Sequence, residues 1–366
     1  MLNRSVPPRA IAAVITVVFA LALLVAVGHR SHWTARRAAA LVPTTAGGHR
    51  PASTTTSAPA TSVPPAAVAP PPSAPVAVST SRVPKGKGMW IYEPQYVEGG
   101  DPVAIIDRAK AAGLTHLYVR TGSSVDGFNQ APFLDSLLPV AHAAGVRIIG
   151  WDFPYLDDPG ADATRAIDTI FYVTPSGDRL DGFSADVETP AEGVALTPET
   201  AAAYGRHIRD MVGPDVLLIA TVPRPTPARQ ATYPYAEVVD AFDAIAPMVY
   251  WLGAPPDETV AEAVDYLSGF GKPVLPVGQA YDSSIEGGTP GTPTPQDIDA
   301  FITTANLHGA DGVSFWSWQH ATDDTWSVIS AAPEVGIAPR PVFVPPPSGP
   351  PSWWLVTQAM GLNVGR

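Results

Sequence analysis

Two carboxylates lie close together near the middle of the sequence, at the end of a short apolar run. Asp186 and Glu188 are two residues apart, so on an extended strand their side chains share one face, about 6.5 to 7 Å apart along the chain. Two such groups in a semi-enclosed, aromatic-lined site push their pKa values apart, leaving one protonated near neutral pH. This pairing is typical of a glycosidase, although a solvated strand end or a helix cap would also place two acids here.

Polar and aromatic residues that follow other apolar runs are candidates for the same site. Besides Asp186 and Glu188, these candidates are Arg120, Trp151, Asp152, Tyr250, Trp251, Gln279, Asp282, Trp316 and Trp318. The tryptophans are included because the flat apolar faces of sugar rings stack on aromatic side chains. The chain has no Cys, and its His residues lack a His-x-x-x-His spacing, so we expect no metal and no other cofactor.

These residues need a scaffold that gathers several strand ends, and the sequence from Gly88 onward predicts one. Short apolar runs occur at 89–92, 116–119, 146–149, 182–185, 216–219, 244–250, 274–277 and 312–316. Helical patterns lie between them at 101–112, 133–144, 161–172, 198–212, 235–242, 258–270 and 295–308. Eight strand and helix units over about 250 residues predict a (β/α)8 TIM barrel, whose sites lie at the carboxyl ends of the strands. A doubly wound sheet is the alternative, but no Gly-x-Gly-x-x-Gly follows the first strand.

The sequence before the barrel divides into residues 1–37 and 38–87. Residues 10–28 are nineteen positions without a charge, which is enough for a single transmembrane helix, and a cleaved signal peptide is the alternative. Residues 38–87 contain ten Pro, thirteen Ser or Thr and no acid, which is typical of a disordered stalk. We therefore expect a cell-membrane anchor with the barrel outside the cytoplasm, or a secreted protein if cleavage occurs. A disordered linker in a cytosolic protein is the remaining interpretation.

Charge is distributed unevenly along the chain. Residues 1–87 carry nine Lys or Arg and no acid, whereas the predicted barrel at 88–336 carries eleven against 34 acids, a net charge of −23. Such a body repels a phosphate backbone, so nucleic acid is not an expected partner. The proline-rich tail at 337–366 carries two Arg and no acid and contains Trp353-Trp354-Leu355-Val356; it either packs on the barrel or binds a partner. We expect a polysaccharide substrate, a membrane contact through the N-terminal helix, and a monomer.

Three segments resemble strand motifs of glycoside hydrolase family 18, the chitinase-like barrels. Residues 181–190 resemble the fourth-strand signature Asp-Gly-apolar-Asp-apolar-Asp-aromatic-Glu-x-Pro, with matches at Asp181, Gly182, Phe183, Asp186, Glu188 and Pro190. Residues 248–250 resemble the sixth-strand Met-x-Tyr, and residues 312–316 resemble the eighth-strand Gly-Val-x-x-Trp. The three motifs fall on the appropriate strands of the predicted barrel, so the resemblance covers residues 88–330.

The resemblance implies hydrolysis of a glycan that contains N-acetylhexosamine, such as peptidoglycan or a chitin-like polymer. In that reaction the acetamido oxygen of the substrate attacks its own anomeric carbon, so no protein nucleophile is needed. By the same resemblance, Glu188 would protonate the leaving oxygen and Asp186 would orient the acetamido group. Tyr250 would donate a hydrogen bond to the acetamido carbonyl, and Trp316 would form the floor under the sugar ring.

The departures from the family pattern keep two alternatives open. Ser184 stands where the family has an aspartate, Val187 replaces an aromatic residue, and residues 149–152 differ from the family's third-strand motif. One alternative is a two-carboxylate glycosidase, in which Glu188 works with Asp152, Asp282 or Glu93. The other is a non-catalytic barrel that binds glycan or a partner. Because Ser184 removes a like charge, we expect Asp186 to stay ionised to a lower pH than in the family, with a mildly acidic activity optimum.

Overall fold

The computed structural model describes residues 82–333 and 335–336. The predicted anchor at 1–37, the part of the predicted linker at 38–81, and the tail at 337–366 lie outside the described residues. Among the residues that are described, no helix is long and apolar enough to span a membrane.

Parallel strands form a closed barrel in the described part of the chain. The strands are β1 (Gly86–Ile91), β2 (Leu114–Ser123), β4 (Arg147–Phe153), β5 (Gly182–Asp186), β6 (Leu218–Pro223), β7 (Ala244–Val249), β8 (Val277–Gln279) and β9 (Gly312–Trp316), with a short β3 (Gly127–Phe128). The barrel closes because β1 pairs with both β2 and β9, whereas β3 is an antiparallel extension of β2. The prediction of a (β/α)8 barrel is confirmed.

Helices follow the strands and surround the barrel. They are α1 (Pro102–Ala111), α2 (Ala131–Ala144), α3 (Pro159–Phe171), α4 (Pro198–Val212), α5 (Pro227–Thr232), α6 (Tyr235–Val239), α7 (Pro256–Ser268), α8 (Pro295–Leu307) and α9 (Asp323–Ala331). Short 3-10 helices occupy Pro94–Gly100, Pro190–Glu192 and Ser283–Glu286. Many helices begin where Asp or Thr caps the first turn and Pro follows, as at Asp158 and Thr197. This order satisfies the free amides of the first turn and fixes the helical φ at no cost in hydrogen bonds.

Two apolar layers hold the fold together. The barrel interior is filled by Trp90, Tyr118, Ile149, Trp151, Leu217, Ile219, Ala244, Ala246, Leu275 and Val277. The second layer lies between strands and helices and includes Phe183 and Ala185 from β5. Because side chains alternate along a strand, Ser184 and Asp186 face the barrel interior. The carboxylate pair therefore starts on the inward face of β5.

The first strand begins two residues before the predicted start at residue 88, and Lys87 has a structural role there. Its side chain is 3% exposed, and its Nζ donates to the carbonyl oxygens of Ile329 at 2.7 Å and Ala332 at 2.9 Å. These carbonyls belong to the end of α9, where free acceptors and the helix dipole favour a cation. Lys87 thus fastens the last helix to the first strand.

Replacing Lys87 with Met keeps the apolar stem but removes the ammonium group. We expect the free energy of unfolding to fall by about 2–3 kcal/mol, because buried carbonyls lose hydrogen bonds to a charged donor. Urea unfolding at an unchanged m-value measures this loss. Lys85→Met is the matched control, since Lys85 is exposed. An equal effect in both variants would contradict the assigned role of Lys87.

Candidate active site

The carboxylate pair lies at the carboxyl end of β5. Asp186 is the last residue of the strand, and the backbone beyond it is fixed at Val187, whose amide donates to the carbonyl of Thr221 at 3.0 Å. The carbonyl of Val187 accepts a hydrogen bond of 2.6 Å from the hydroxyl of Tyr233. With Val187 held on both sides, Glu188 continues the inward alternation of Asp186 at the mouth of the barrel.

Asp186 is nearly enclosed and lacks a complete set of hydrogen bonds. Its side chain is 8% exposed, and its Oδ1 has no hydrogen-bond partner among the described residues. Burial raises the pKa of Asp186 to about 7, the charges of Asp152 and Glu192 add to this, and Arg120 acts in the opposite direction. Burial, rather than a like charge at position 184, is the largest cause of this raised pKa, and the expectation that Asp186 stays ionised to a lower pH than in the family stays a prediction.

Glu188 retains its proton at neutral pH. Burial raises its pKa to about 9, and the charges of Asp186, Glu192 and Glu286 contribute in the same direction, whereas Arg229 lowers the pKa. A carboxyl group that is protonated at pH 7 and stands beside a second carboxyl group can deliver a proton to a bound leaving group. Glu188 therefore has the protonation state that a general acid requires.

Ser184 takes part in a hydrogen bond within the barrel wall. It is fully buried, and its Oγ lies 2.7 Å from Oγ1 of Thr221 on β6. The hydroxyl also lies 3.4 Å from the carbonyl oxygen of Ile219, to which it donates. A neutral pair of hydroxyl groups therefore occupies the position, two residues before Asp186 on the inward face, where an aspartate would carry a negative charge.

Tyr250 follows β7 and belongs to the same mouth. Its ring meets that of Tyr281 edge-on, with the centroids 5.6 Å apart. Burial raises its pKa well above the usual value, and Tyr281, Asp186 and Glu188 raise it further. The hydroxyl of Tyr250 therefore keeps its proton and can donate to an acceptor on a substrate.

Aromatic rings form the remaining wall of the mouth. The ring of Trp316 lies 5.9 Å from Tyr92 and 5.7 Å from Trp151. Tyr92 stacks in turn on the exposed His320, at 5.8 Å between centroids. Trp151 is buried in the barrel interior, where its Nε1 donates to the carbonyl of Ile91 at 3.2 Å. Trp316, only half-buried, is the tryptophan of this group that is open to a sugar ring.

Two predicted substrate-binding tryptophans lie instead in the layer between strands and helices. Trp318 is 5% exposed and packs on Trp326 of α9 at 4.6 Å between centroids. Trp251 is also 5% exposed and packs near Phe301 of α8 at 5.7 Å. Both positions follow the end of a strand, so the alternation that predicted an inward face no longer applies. Neither ring is open to a substrate in this structure.

Two further candidates have structural partners. Gln279 is 2% exposed; its Oε1 accepts from the amide of Leu252 at 3.1 Å, and its Nε2 donates to the carbonyl of Tyr281 at 3.1 Å. It thus braces the loops that carry Tyr250 and Tyr281 rather than facing a substrate. Asp282 is exposed and caps the 3-10 helix at 283–286 by accepting from the amide of Ser284 at 2.9 Å.

The last two candidates are charged and lie on opposite sides of the sheet. Arg120 is half-buried and donates to Oδ2 of Asp126 at 3.0 Å. Its charge lowers the pKa of Asp186, which places Arg120 beside the mouth. Asp152 is 0% exposed, and its Oδ2 accepts from Nε of Arg165 on α3 at 2.8 Å. The carboxylate of Asp152 therefore faces α3, on the side of the sheet away from the mouth.

Several residues near the site were missed from the sequence. They are Tyr92, Glu192, Arg229, Tyr281 and Glu286. Glu192, Arg229 and Glu286 lie in short helices beyond the strand ends, where the period of a strand gives no direction. Tyr92 directly follows β1, and Tyr281 stands between Gln279 and Asp282, so their positions at strand ends were a usable signal.

A cavity of about 210 Å³ lies at the opposite end of the barrel. It is lined by residues that precede β5 and β6, including Leu180, Asp181 and Leu217. Barrel enzymes carry their chemistry at the carboxyl ends of the strands, so this cavity is not the candidate site. Within the described residues, no group of three or more His, Asp or Glu side chains is arranged to hold a metal ion.

Comparison with known proteins shows the same barrel in glycan-degrading enzymes. An endo-β-1,4-mannanase from Thermotoga petrophila matches with a TM-score of 0.51 and 12% identity, over 67% of this chain and 75% of that chain. The endo-1,4-β-mannanase of Rhizomucor miehei gives a TM-score of 0.50 and 9% identity, over 64% and 86% of the two chains. A family 18 chitinase from Pseudoalteromonas aurantia gives a TM-score of 0.49 and 13% identity, over 67% and 98%.

Comparison of the sequence with protein families and with curated proteins identified no relative. No family model matches the chain, and no curated protein matches it. At these low identities the structural similarity establishes the fold. The predicted TIM-barrel architecture is thereby confirmed.

Proposed function

We propose that this chain is a glycoside hydrolase that cleaves an N-acetylhexosamine-containing glycan, either peptidoglycan or a chitin-like polymer. One observation carries the proposal: at the mouth of the barrel, Glu188, whose pKa is raised by burial to about 9, stands beside the largely buried Asp186. Tyr250 and the half-exposed Trp316 complete a polar and aromatic mouth, as sugar binding requires.

The proposed reaction uses the acetamido group of the substrate as nucleophile. Its oxygen bonds to the anomeric carbon while the glycosidic bond breaks, and Glu188 gives its proton to the departing oxygen. Asp186, once ionised, accepts a hydrogen bond from the acetamido N–H, and Tyr250 donates to the acetamido oxygen before it attacks. Glu188, now ionised, takes a proton from the water that opens the cyclic intermediate. The product keeps the configuration of the bond that was cleaved.

Two of the three predicted partners in the two-carboxylate alternative have other contacts, and Glu93 stays a candidate. Asp152 is held behind the sheet by Arg165, and Asp282 caps a 3-10 helix. Neither side chain is placed as a nucleophile. A non-catalytic, glycan-binding barrel is favoured by one observation only, the hydroxyl pair of Ser184 and Thr221 in place of a buried aspartate.

The cellular setting is part of the same proposal. Residues 10–28 would anchor the protein in the cell membrane, and the Pro-, Ser- and Thr-rich residues 38–87 would hold the barrel, as a monomer, outside the cytoplasm. Protease treatment of intact cells tests this topology. Digestion of the barrel from the outside supports it, and protection until lysis contradicts it.

Removal of the substrate's acetyl groups tests the proposed nucleophile. We expect the full chain to cleave an N-acetylated oligosaccharide at least about 10²-fold faster than its deacetylated counterpart, because the amine lacks the attacking oxygen. Initial rates of reducing-end release on the two substrates, at equal length and linkage, measure the ratio. Equal rates would exclude substrate assistance and require a nucleophile from the protein.

A further inference from the structure

Asp152 lies directly behind the catalytic pair, although it faces away from the mouth. In the ladder between β4 and β5 it pairs with Ala185, the residue before Asp186. Neighbouring strands are about 4.8 Å apart, so the two carboxyl groups lie on opposite faces of adjacent strand ends. Both side chains are at least nine-tenths buried, at 0% exposure for Asp152 and 8% for Asp186. Little water separates them, so their charges are weakly screened.

A polar cluster outside the barrel holds Asp152 in place. Nε of Arg165 donates to Asp152 at 2.8 Å, while Nη1 of Arg165 donates to Asp162 at 2.5 Å. The hydroxyl of Tyr204, on α4, donates to the remaining oxygen of Asp152 at 3.5 Å. Asp162 in turn accepts from the hydroxyl of Ser124 at 2.6 Å. Two carboxylates thus share one guanidinium group, and when both are ionised the cluster keeps a net negative charge.

We propose that Asp152 is a positioning residue that acts through Asp186. Its carboxylate, fixed by Arg165 behind the sheet, favours the protonated form of Asp186 and so sets the acid limit of the site. The consequence for activity rests on the proposed function, whereas the effect on the protonation of Asp186 does not. Asp152 would act without touching the substrate.

The charges around Asp186 give the sign of the effect. Glu188 and Glu192 follow on its own segment, Arg120 comes from β2, Tyr250 follows β7, and Asp152 lies on β4. A negative neighbour makes loss of a proton harder, and among the neighbouring charges Asp152 has the largest effect in raising the pKa of Asp186. Burial raises the pKa of Asp152 itself to about 6 against the opposing effect of Arg165, so it is ionised at neutral pH.

The proposal is tested by following the side-chain carboxyl carbon of Asp186 with ¹³C NMR during a pH titration of the full chain. The signal is assigned by its loss in Asp186→Asn. We expect Asp152→Asn to lower the titration midpoint of Asp186 by about 1 pH unit. Asp162→Asn is the matched control, because it removes a carboxylate from the same cluster, on the other side of Arg165 from Asp152. In this control the titration midpoint of Asp186 should stay within about 0.3 pH units of the wild-type value.

Asp152→Asn leaves Arg165 short of one partner and is at risk of misfolding. Asp152→Ser is the second test: it also removes the carboxylate, while Arg165 keeps its ion pair with Asp162, and it should also lower the titration midpoint of Asp186. An unchanged midpoint in a folded variant of either kind would overturn the proposal. Because the titration needs no substrate, this failure is distinguishable from absence of glycan hydrolysis. If the enzyme is active, the acid limb of kcat/KM should move to lower pH in parallel.

Discussion

Glu188→Gln is expected to lower kcat on an N-acetylated glycan by about 10²–10⁴-fold while binding of the glycan is retained. Glutamine preserves the size and hydrogen bonding of the side chain but has no acidic proton. The proton that Glu188 holds at neutral pH, because burial raises its pKa to about 9, is the one that the leaving oxygen needs. Steady-state kinetics and calorimetric binding measure the two quantities separately.

Glu192→Gln provides the matched control for this variant. Glu192 lies four residues beyond Glu188, is exposed, and accepts from the amide of Thr189 at 3.1 Å. It changes the electrostatic field at the site but is not assigned a proton transfer, so its kcat should remain within about tenfold of the wild type. If both variants lose activity equally, or if neither does, Glu188 is not the general acid.

Asp186→Asn is expected to lower kcat by about 10²-fold or more and to change the shape of the pH profile. In the wild type, activity requires Asp186 ionised and Glu188 protonated. With pKa values of about 7 and about 9, kcat/KM should rise as the pH passes 7 and fall as it passes 9. The two values belong to the interacting pair, and the profile should be a bell between them.

Asparagine at position 186 changes both limbs of this bell. The acid limb should disappear because no group titrates there, and the alkaline limb should move to lower pH because Glu188 loses a neighbouring negative charge. The pH dependence of kcat/KM for the two proteins measures both effects. A wild-type optimum near pH 5 would contradict the assignment, and it would favour the mildly acidic optimum that the sequence predicted.

The barrel was predictable from the sequence because each strand is a compact apolar run bounded by helix signals. The placement of the carboxylate pair was predictable because side chains alternate along a strand. Asp186 ends β5 on the same inward face as Ser184, and Glu188, two residues beyond, continues that alternation. The period of a strand gives no direction beyond its end. Trp251 and Trp318 each stand two residues after their strands, β7 and β9, and the chain turns there and directs both rings into the helical layer.

The burial of the site residues and their charged neighbours could not be predicted from the spacing of residues along the sequence. Asp152 was selected because it stands near a strand end, but the structure pairs it with Arg165, thirteen residues later on α3. Glu192 and Glu286 act on Glu188 from separate loops, whose approach depends on how the barrel closes. Burial, which is set by the tertiary fold, is also the largest cause of the raised pKa of Asp186, and spacing along the chain could not predict it.

The central claim is that this barrel hydrolyses N-acetylhexosaminides with help from the substrate's own acetamido group and an acid at Glu188. Proton NMR of the anomeric region, recorded during the first minutes of reaction of the full chain with an N-acetylated oligosaccharide, tests it most directly. We expect the wild type to form a new reducing end with the same anomeric configuration as the cleaved bond. Glu188→Gln should form no detectable new reducing end over the same time. A new end of opposite configuration, or no new anomeric signal from the wild type, would contradict it.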